Sequence, residues 1–238
     1  MLQPPTLWGE DDDFASSAAG QYLINLGLKF IDDPGDFFMN LHLNNEDYSP
    51  LPDGRRVGAR FNFFPTFFPT TLANLNLKIN VLSDKPTTPQ IDMVGTYGDL
   101  LGLRFAADSM EDVKPEFSDY AVGLVVSKKV QNETKLFAGF KYTQVQMKVV
   151  LSSSSAVDFG SFHLDTINFK VADMFIYSGI CHQSGKDAYV IAQAGYGLTY
   201  KKIAARIMMS RKHLELGIDM FPEGMFVIHP FMAWHWYF

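Results

Sequence analysis

Two residues apart on an extended chain is the shortest spacing that puts a base and a nucleophile on one face, and His182-Gln183-Ser184 has it. A histidine within hydrogen-bond reach of a serine hydroxyl is the beginning of an acyl-transfer site. Gly185, Lys186 and Asp187 follow, so the same residues also read as a polar turn. A second group is acidic: Asp32, Asp33, Asp36, Glu46, Asp47 and Asp53, interrupted by Pro34-Gly35 and Pro52-Asp53-Gly54 turns. Hard divalent cations take oxygen ligands of this type, but the spacing matches no calcium loop. Cys181 stands alone, which excludes an intrachain disulfide. No Gly-rich phosphate loop, paired metal-ligand motif or complete catalytic triad is apparent, and neither metal nor cofactor is expected.

The elements that would position these residues are strands. Tyr22, Ile24, Leu26, Leu28 and Phe30 alternate with Leu23, Asn25, Gly27 and Lys29. Ala73, Leu75, Leu77, Ile79 and Val81 alternate with Asn74, Asn76, Lys78 and Asn80, and Leu214, Leu216, Ile218 and Met220 with His213, Glu215, Gly217 and Asp219. A period of two is the signature of a strand with one apolar face, and helical spacing appears nowhere at comparable length. The pattern predicts about twelve strands, near 20–31, 57–64, 71–81, 91–97, 100–107, 118–130, 135–151, 164–180, 188–200, 203–210, 212–221 and 225–238, with ten to fourteen compatible. Apolar residues change parity after Tyr142 and near Asp173, which predicts a β-bulge in each of those strands, or two shorter strands in place of each. Long connections fall near 32–56, 82–90, 108–117 and 152–163, and short ones near 65–70, 98–99, 131–134 and 210–211.

Composition agrees. Charged residues are 19% and aromatics 14% of the 238 residues, and the net charge of −6 argues against a nucleic-acid partner. No apolar run of 18 residues is present, so there is no transmembrane helix. The first residues carry Glu10-Asp11-Asp12-Asp13 rather than a basic start, so an exported form would have lost its signal peptide.

The last strand is the most specific feature. Phe226, Ile228, Pro230, Met232, Trp234, Trp236 and the terminal Phe238 share one face; Val227, His229, Phe231, Ala233, His235 and Tyr237 share the other. This arrangement resembles the closing strand of bacterial outer-membrane β-barrels. The resemblance implies a closed antiparallel transmembrane barrel over residues 20–238, preceded by a polar periplasmic tail over 1–19, with both termini periplasmic and long loops outside. It also implies that Trp234, Trp236 and Phe238 are the signal read by the barrel-assembly machinery, and that outer-membrane lipids and lipopolysaccharide are partners. The His-x-Ser pair is similar to part of the motif of outer-membrane phospholipase A, but Gly185 stands where that family has Asn.

With the apolar parity toward lipid, Lys29, Arg60, Lys78, Arg104, Lys141, Lys148, Lys170 and Arg206 point into the lumen, with fewer acids, chiefly Glu215 and Asp219. A basic lining in a low-dielectric wall favours anions, so a narrow channel for small polar or anionic solutes is expected, in an arrangement similar to small monomeric porins for acidic oligosaccharides. Two alternatives stand beside it. One is a non-conducting barrel, anchored in an envelope complex through loop 32–56 or tail 1–19. The other is a lipid hydrolase using His182 and Ser184. The aromatic segments Phe61–Phe64 and Phe67-Phe68 are expected in the girdle at the inner interface.

Overall fold

The computed structural model describes residues 47, 49–65, 71–100, 113–151, 157–159, 162–164, 166–220 and 228–238. Tail 1–19, the strand expected at 20–31, and residues Lys29 and Arg104 lie outside this set. Alternation drives every described element into a strand. These are β1 (Val57–Pro65), β2 (Thr71–Leu82), β3 (Gln90–Leu100), β4 (Val113–Gln131), β5 (Thr134–Leu151), the short β6 (Val157–Phe159) and β7 (Phe162–Leu164), β8 (Thr166–Gly185), β9 (Ala188–Gly197), β10 (Ile203–Arg211), β11 (Leu214–Met220) and β12 (Ile228–Tyr237). Ten of them close an antiparallel barrel in the order β1-β12-β11-β10-β9-β8-β5-β4-β3-β2, while β6 and β7 pair only with each other.

The wall therefore has ten strands where twelve were expected. β1 is paired on both edges, with β2 and with β12, so the wall closes without any strand before Val57. β3 pairs directly with β4 in the wall, and residues 101–107 of the strand expected at 100–107 lie outside the described residues. Removing two strands reverses the direction of β1, β2 and β3 relative to the expectation. The 66–70 connection consequently joins the long ones at 101–112 and 152–165, whereas 83–89 lies at the opposite end with the two-residue turns 132–133, 186–187 and 212–213. Phe238 sits at this short-turn end, where its carbonyl accepts from the Arg56 and Val57 amides. Phe61–Phe64 accordingly run toward the long-loop end, not the short-turn end; Phe67 and Phe68 lie outside the described residues.

The two expected mid-strand bulges are absent. β5 pairs with β8 in unbroken register from Thr134↔His182 to Val150↔Thr166. Val145 and Val171 break the polar pattern because they point inward and are buried, not because the strand slips. The register shifts that do occur lie near the short turns, at Asn80/Leu82, Lys129/Gln131 and Gln183/Gly185.

Outside, the barrel is apolar. Ile79, Val122, Phe140, Ile176, Met209 (65% exposed) and Leu216 (52% exposed) form a belt around the wall. Tyr97, Tyr120, Tyr142 and Tyr196 mark its long-loop edge and Trp236 its short-turn edge. β4, β5 and β8 run for 19, 18 and 20 residues, whereas about 9–11 suffice to cross a bilayer. Their outward row turns polar beyond the tyrosines, at Ser118, Gln144, Gln146 and Lys170.

Inside, glycines paired with aromatics set the cross-strand register. Phe137 lies opposite Gly179, Tyr177 opposite Gly139, Phe175 opposite Gly197 and Phe231 opposite Gly217. A Cβ on Gly217 would meet the Phe231 ring at 2.5 Å, and one on Gly179 would meet Phe137 at 2.4 Å. Each ring thus lies in a notch that only glycine leaves open. Val94, Val125, Phe137, Tyr177, Cys181, Ile191, Met208 and Phe231 make a continuous inner cluster.

Candidate functional site

The inner face of the barrel gathers most of the charged residues singled out in the sequence. Arg60, Lys78, Lys141, Arg206, Glu215 and Asp219 are all buried there. Lys148 and Lys170 are not with them: in the unbroken register they fall on the outward row, and Lys170 is exposed. Their expected lumen placement depended on the bulges that the strands do not make.

The inward cations meet inward acids. Arg60 Nε donates to Glu215 Oε2 at 2.5 Å, and the other carboxylate oxygen lies 3.1 Å from His235 Nδ1. Arg206 grips Asp219 through Nε at 2.5 Å and Nη2 at 2.9 Å, a two-pronged bond that fixes both side chains. Phe231 lies between the two guanidiniums, 5.5 Å from Arg60 and 4.4 Å from Arg206. Lys141 lies over the Phe175 ring at 5.3 Å. Among the described residues five cations are buried (Arg60, Lys78, Lys135, Lys141, Arg206), against six carboxylates (Asp47, Asp92, Asp119, Asp173, Glu215, Asp219). The basic bias expected of the lining is therefore absent from the described interior.

The decisive feature is what lies inside. Residues 47 and 49–54 precede β1 and occupy the lumen. Asp47 reaches mid-barrel, beside Thr96, Lys141 and Tyr177. Lys78 Nζ donates to Asp47 Oδ2, to the Ser49 carbonyl at 2.6 Å and to Ser49 Oγ at 3.0 Å. The Leu51 amide donates to Asp92 Oδ2 at 2.9 Å, and its carbonyl accepts from Gln90 Nε2 and Lys135 Nζ. Leu51 is wholly buried, its tip pressed against the space a Gly58 side chain would fill. The segment then leaves at the short-turn end. There the Arg55 amide bonds the Pro52 carbonyl at 3.2 Å and Gly54 sits at φ +76°. That is the left-handed position of a tight turn, which glycine adopts without a Cβ clash. The reversal sends the chain back up the wall as β1.

Asp53 clips this turn to the rim, 2.5 Å from Lys135 and 3.0 Å from Lys129. Partial burial pushes its pKa up, but the hydrogen bonds from Lys135 and Lys129 outweigh that and hold the carboxyl below its ordinary value. The two acids of loop 32–56 that are described thus bind lysines of the same chain. No cluster of metal-ligating residues occurs among the described residues. The part of the loop nearest β1 is lumenal rather than external.

The His182-x-Ser184 pair does not assemble. His182 Nδ1 lies 3.0 Å from Thr134 Oγ1, both His182 and Ser184 are exposed, and the register shifts between Gln183 and Gly185. Sequence reading missed Lys135 and Asp119 as inward residues, although Lys135 shares its parity with Lys141 six residues further on. It also missed the lumenal course of residues 47 and 49–54, for which no local signal exists. Trp234, Trp236 and Phe238 lie on the outward row of β12, with Phe238 70% exposed.

No protein-family model and no curated protein matches this chain. Among solved structures the chain is similar to Ail, the attachment invasion locus protein of Yersinia pestis, at 8% identity over 76% of this chain and 93% of that one, with a TM-score of 0.37.

Proposed function

We propose that this chain is an outer-membrane β-barrel held shut by its own segment 47–54, acting in the envelope as a non-conducting anchor or scaffold. An exposed apolar belt edged by aromatics suits a lipid bilayer and would be a liability in water. Short turns with Phe238 at one end and long connections at the other suit a barrel whose short-turn end faces the periplasm. The observation that carries closure is Lys78. Its ammonium, central to a selective basic pore, is occupied by Asp47 and Ser49 of the segment itself. The balance of inward charge likewise supports bracing over anion selection.

In this reading outer-membrane lipids and lipopolysaccharide surround the belt, and the assembly machinery reads Trp234, Trp236 and Phe238. An envelope partner would use tail 1–19 or the part of loop 32–56 that precedes the lumenal segment. The test is single-channel recording of the refolded protein in a planar bilayer under a salt gradient. A folded, inserted barrel without stable steps is expected. Steady steps with a reversal potential favouring anions would overturn closure and restore the channel. A chain that stays soluble and monomeric without detergent would overturn the membrane assignment itself.

A further inference from the structure

Beyond the tyrosine edge of the belt, β5 and β8 carry two lysines on their outward face. On β5 the outward row runs Tyr142, Gln144, Gln146, Lys148, and on β8 it runs Met174, Ala172, Lys170 toward the long-loop end. The unbroken register sets Gln146 opposite Lys170 and Lys148 opposite Asn168. The two lysines are therefore diagonal neighbours, with Cα atoms about 7–8 Å apart. Lys170 is exposed and Lys148 half-buried, and among the described residues neither ammonium has a hydrogen bond or an ion pair.

We infer that Lys148 and Lys170, with Gln146 beside them, hold the phosphorylated sugar headgroup of a glycolipid whose acyl chains lie against the belt. The inference rests on the outer-membrane reading and names a lipid of the leaflet at the long-loop end.

Height favours a sugar headgroup. The Tyr142 hydroxyl donates to Gln144 Oε1 at 3.2 Å, where the apolar row gives way to the polar one. Tyrosines of this kind sit at the boundary between hydrocarbon and water. Lys170 is level with Gln146, four residues beyond Tyr142, and Lys148 is six beyond it. At about 3.3 Å per residue these are roughly 13 and 20 Å along the strand. A strand tilt of about 40° turns them into a rise of roughly 10 and 15 Å. A phospholipid headgroup layer is about 5–8 Å deep, too shallow to meet both rungs. A headgroup of linked sugars is taller and meets both.

Charge favours phosphate. Beyond the tyrosines the outward rows of β4, β5 and β8 hold three cations, Lys114, Lys148 and Lys170, against one acid, Glu116. Each ammonium ends a flexible four-carbon stem, so both can turn toward one phosphate or toward two on the same headgroup. Gln146 and, opposite it on β4, Ser118 are half-buried and offer the neutral donors and acceptors that sugar hydroxyls take. A headgroup clamped there would fix the height of the barrel on the side where its strands are longest.

The test uses the full chain folded in detergent, with heat-modifiable migration as the folding control and native mass spectrometry as the readout. Bisphosphorylated lipid A should remain bound to the wild type. Lys148→Gln with Lys170→Gln should weaken it about 25-fold, at about five-fold for each lysine near a charged lipid surface. Lys148→Arg with Lys170→Arg should keep most of the binding. Lys186→Gln with Lys212→Gln, which removes the same charge at the short turns, should bind as the wild type does. Phosphatidylglycerol, with one phosphate and no sugar, should bind weakly and equally to all four. Unchanged lipid A binding by the folded Lys148→Gln, Lys170→Gln protein would overturn the inference, as would an equal loss in the short-turn pair. Lysine-dependent binding of phosphatidylglycerol as tight as that of lipid A would overturn the sugar headgroup. Insertion into phosphatidylcholine vesicles free of both lipids reads the membrane assignment separately. A chain that inserts there but binds lipid A without regard to these lysines loses this site alone, whereas one that does not insert loses both.

Discussion

Replacing Asp47 by Asn tests whether the lumenal segment is held by charge. In the folded protein the side chains of Lys78 and Asp47 are 3% and 2% exposed. Breaking a buried ion pair by removing one partner costs about 3–5 kcal/mol, because the other charge stays buried without compensation. Lys78 would keep two acceptors on Ser49, the carbonyl at 2.6 Å and the hydroxyl at 3.0 Å. Each is a bond from a charged donor, worth about 1.5–3 kcal/mol net, so the ammonium is left partly compensated. The expected loss for Asp47→Asn is therefore about 2–4 kcal/mol. Replacing both residues, as Asp47→Leu with Lys78→Met, removes both charges together and should cost far less than the sum of the single changes.

The assay is equilibrium urea unfolding in lipid vesicles, followed by tryptophan fluorescence, as a double-mutant cycle. A coupling of about 2 kcal/mol or more is expected between the two sites. Hydrogen exchange at the Leu51 amide, bonded to Asp92 at 2.9 Å, separates two ways the single variant can respond. If the segment stays docked, the amide remains protected and the full cost appears in unfolding. If the segment is expelled, exchange accelerates and the cost is capped at the free energy of docking. An Asp47→Asn variant within about 0.5 kcal/mol of wild type, with additive effects and Leu51 still protected, would refute the claim that this ion pair holds the segment.

Three further outcomes follow from the same geometry. Gly217→Ala should destabilise by about 1–3 kcal/mol, since its methyl would meet Phe231 at 2.5 Å and the Ile207 carbonyl at 2.7 Å; Gly217→Ala with Phe231→Leu should recover part of this in the same unfolding assay. Met209→Arg, in the exposed belt, should cost about 2–4 kcal/mol in a bilayer but little in a soluble barrel, and folding titrations in vesicles decide between them. For Asp53, hydrogen bonds to lysines hold the folded carboxyl below its ordinary value against the effect of burial. Its stabilisation is then fully present above the unfolded value, about pH 3.9, and is lost as pH falls below it through the folded value. The difference in melting temperature between wild type and Asp53→Asn should be constant from pH 7 to 5 and shrink toward pH 3.

Alternation made the wall legible. β2 and β11 each carry one apolar row and one polar row, and the solvent that faces each row dictates that pattern. It could not give the strand number. Leu26 and its neighbours alternate as well as Leu75 and its neighbours do, and periodicity says only that a face can be buried, not that the barrel has room for it. Closure is decided by pairing between β1 and β12, residues more than 150 positions apart. Once two strands are removed, the ends to which 66–70 and 83–89 belong must exchange, so one count error became an orientation error for the first three strands.

The interior was harder to read for a different reason. A wet channel wants polar residues inward, and a filled one tolerates Val145, Val171, Phe175 and Tyr177 there, all buried in this barrel. A reading that assumed a wet lumen had to explain inward apolar residues as slips of register, and so sent Lys148 and Lys170 to the wrong face. The cross-strand pairs Phe137–Gly179 and Phe231–Gly217 hold the better signal: small residues on one strand matched to large ones on the next mean that the volume between them is occupied. That matching is invisible along the chain, because each partner belongs to another strand. The same holds for Arg60, Glu215 and His235, which share no motif and meet only because closure fixes two registers at once. The segment that fills the barrel, Asp47 to Gly54, decides which of those inward groups any solute can reach.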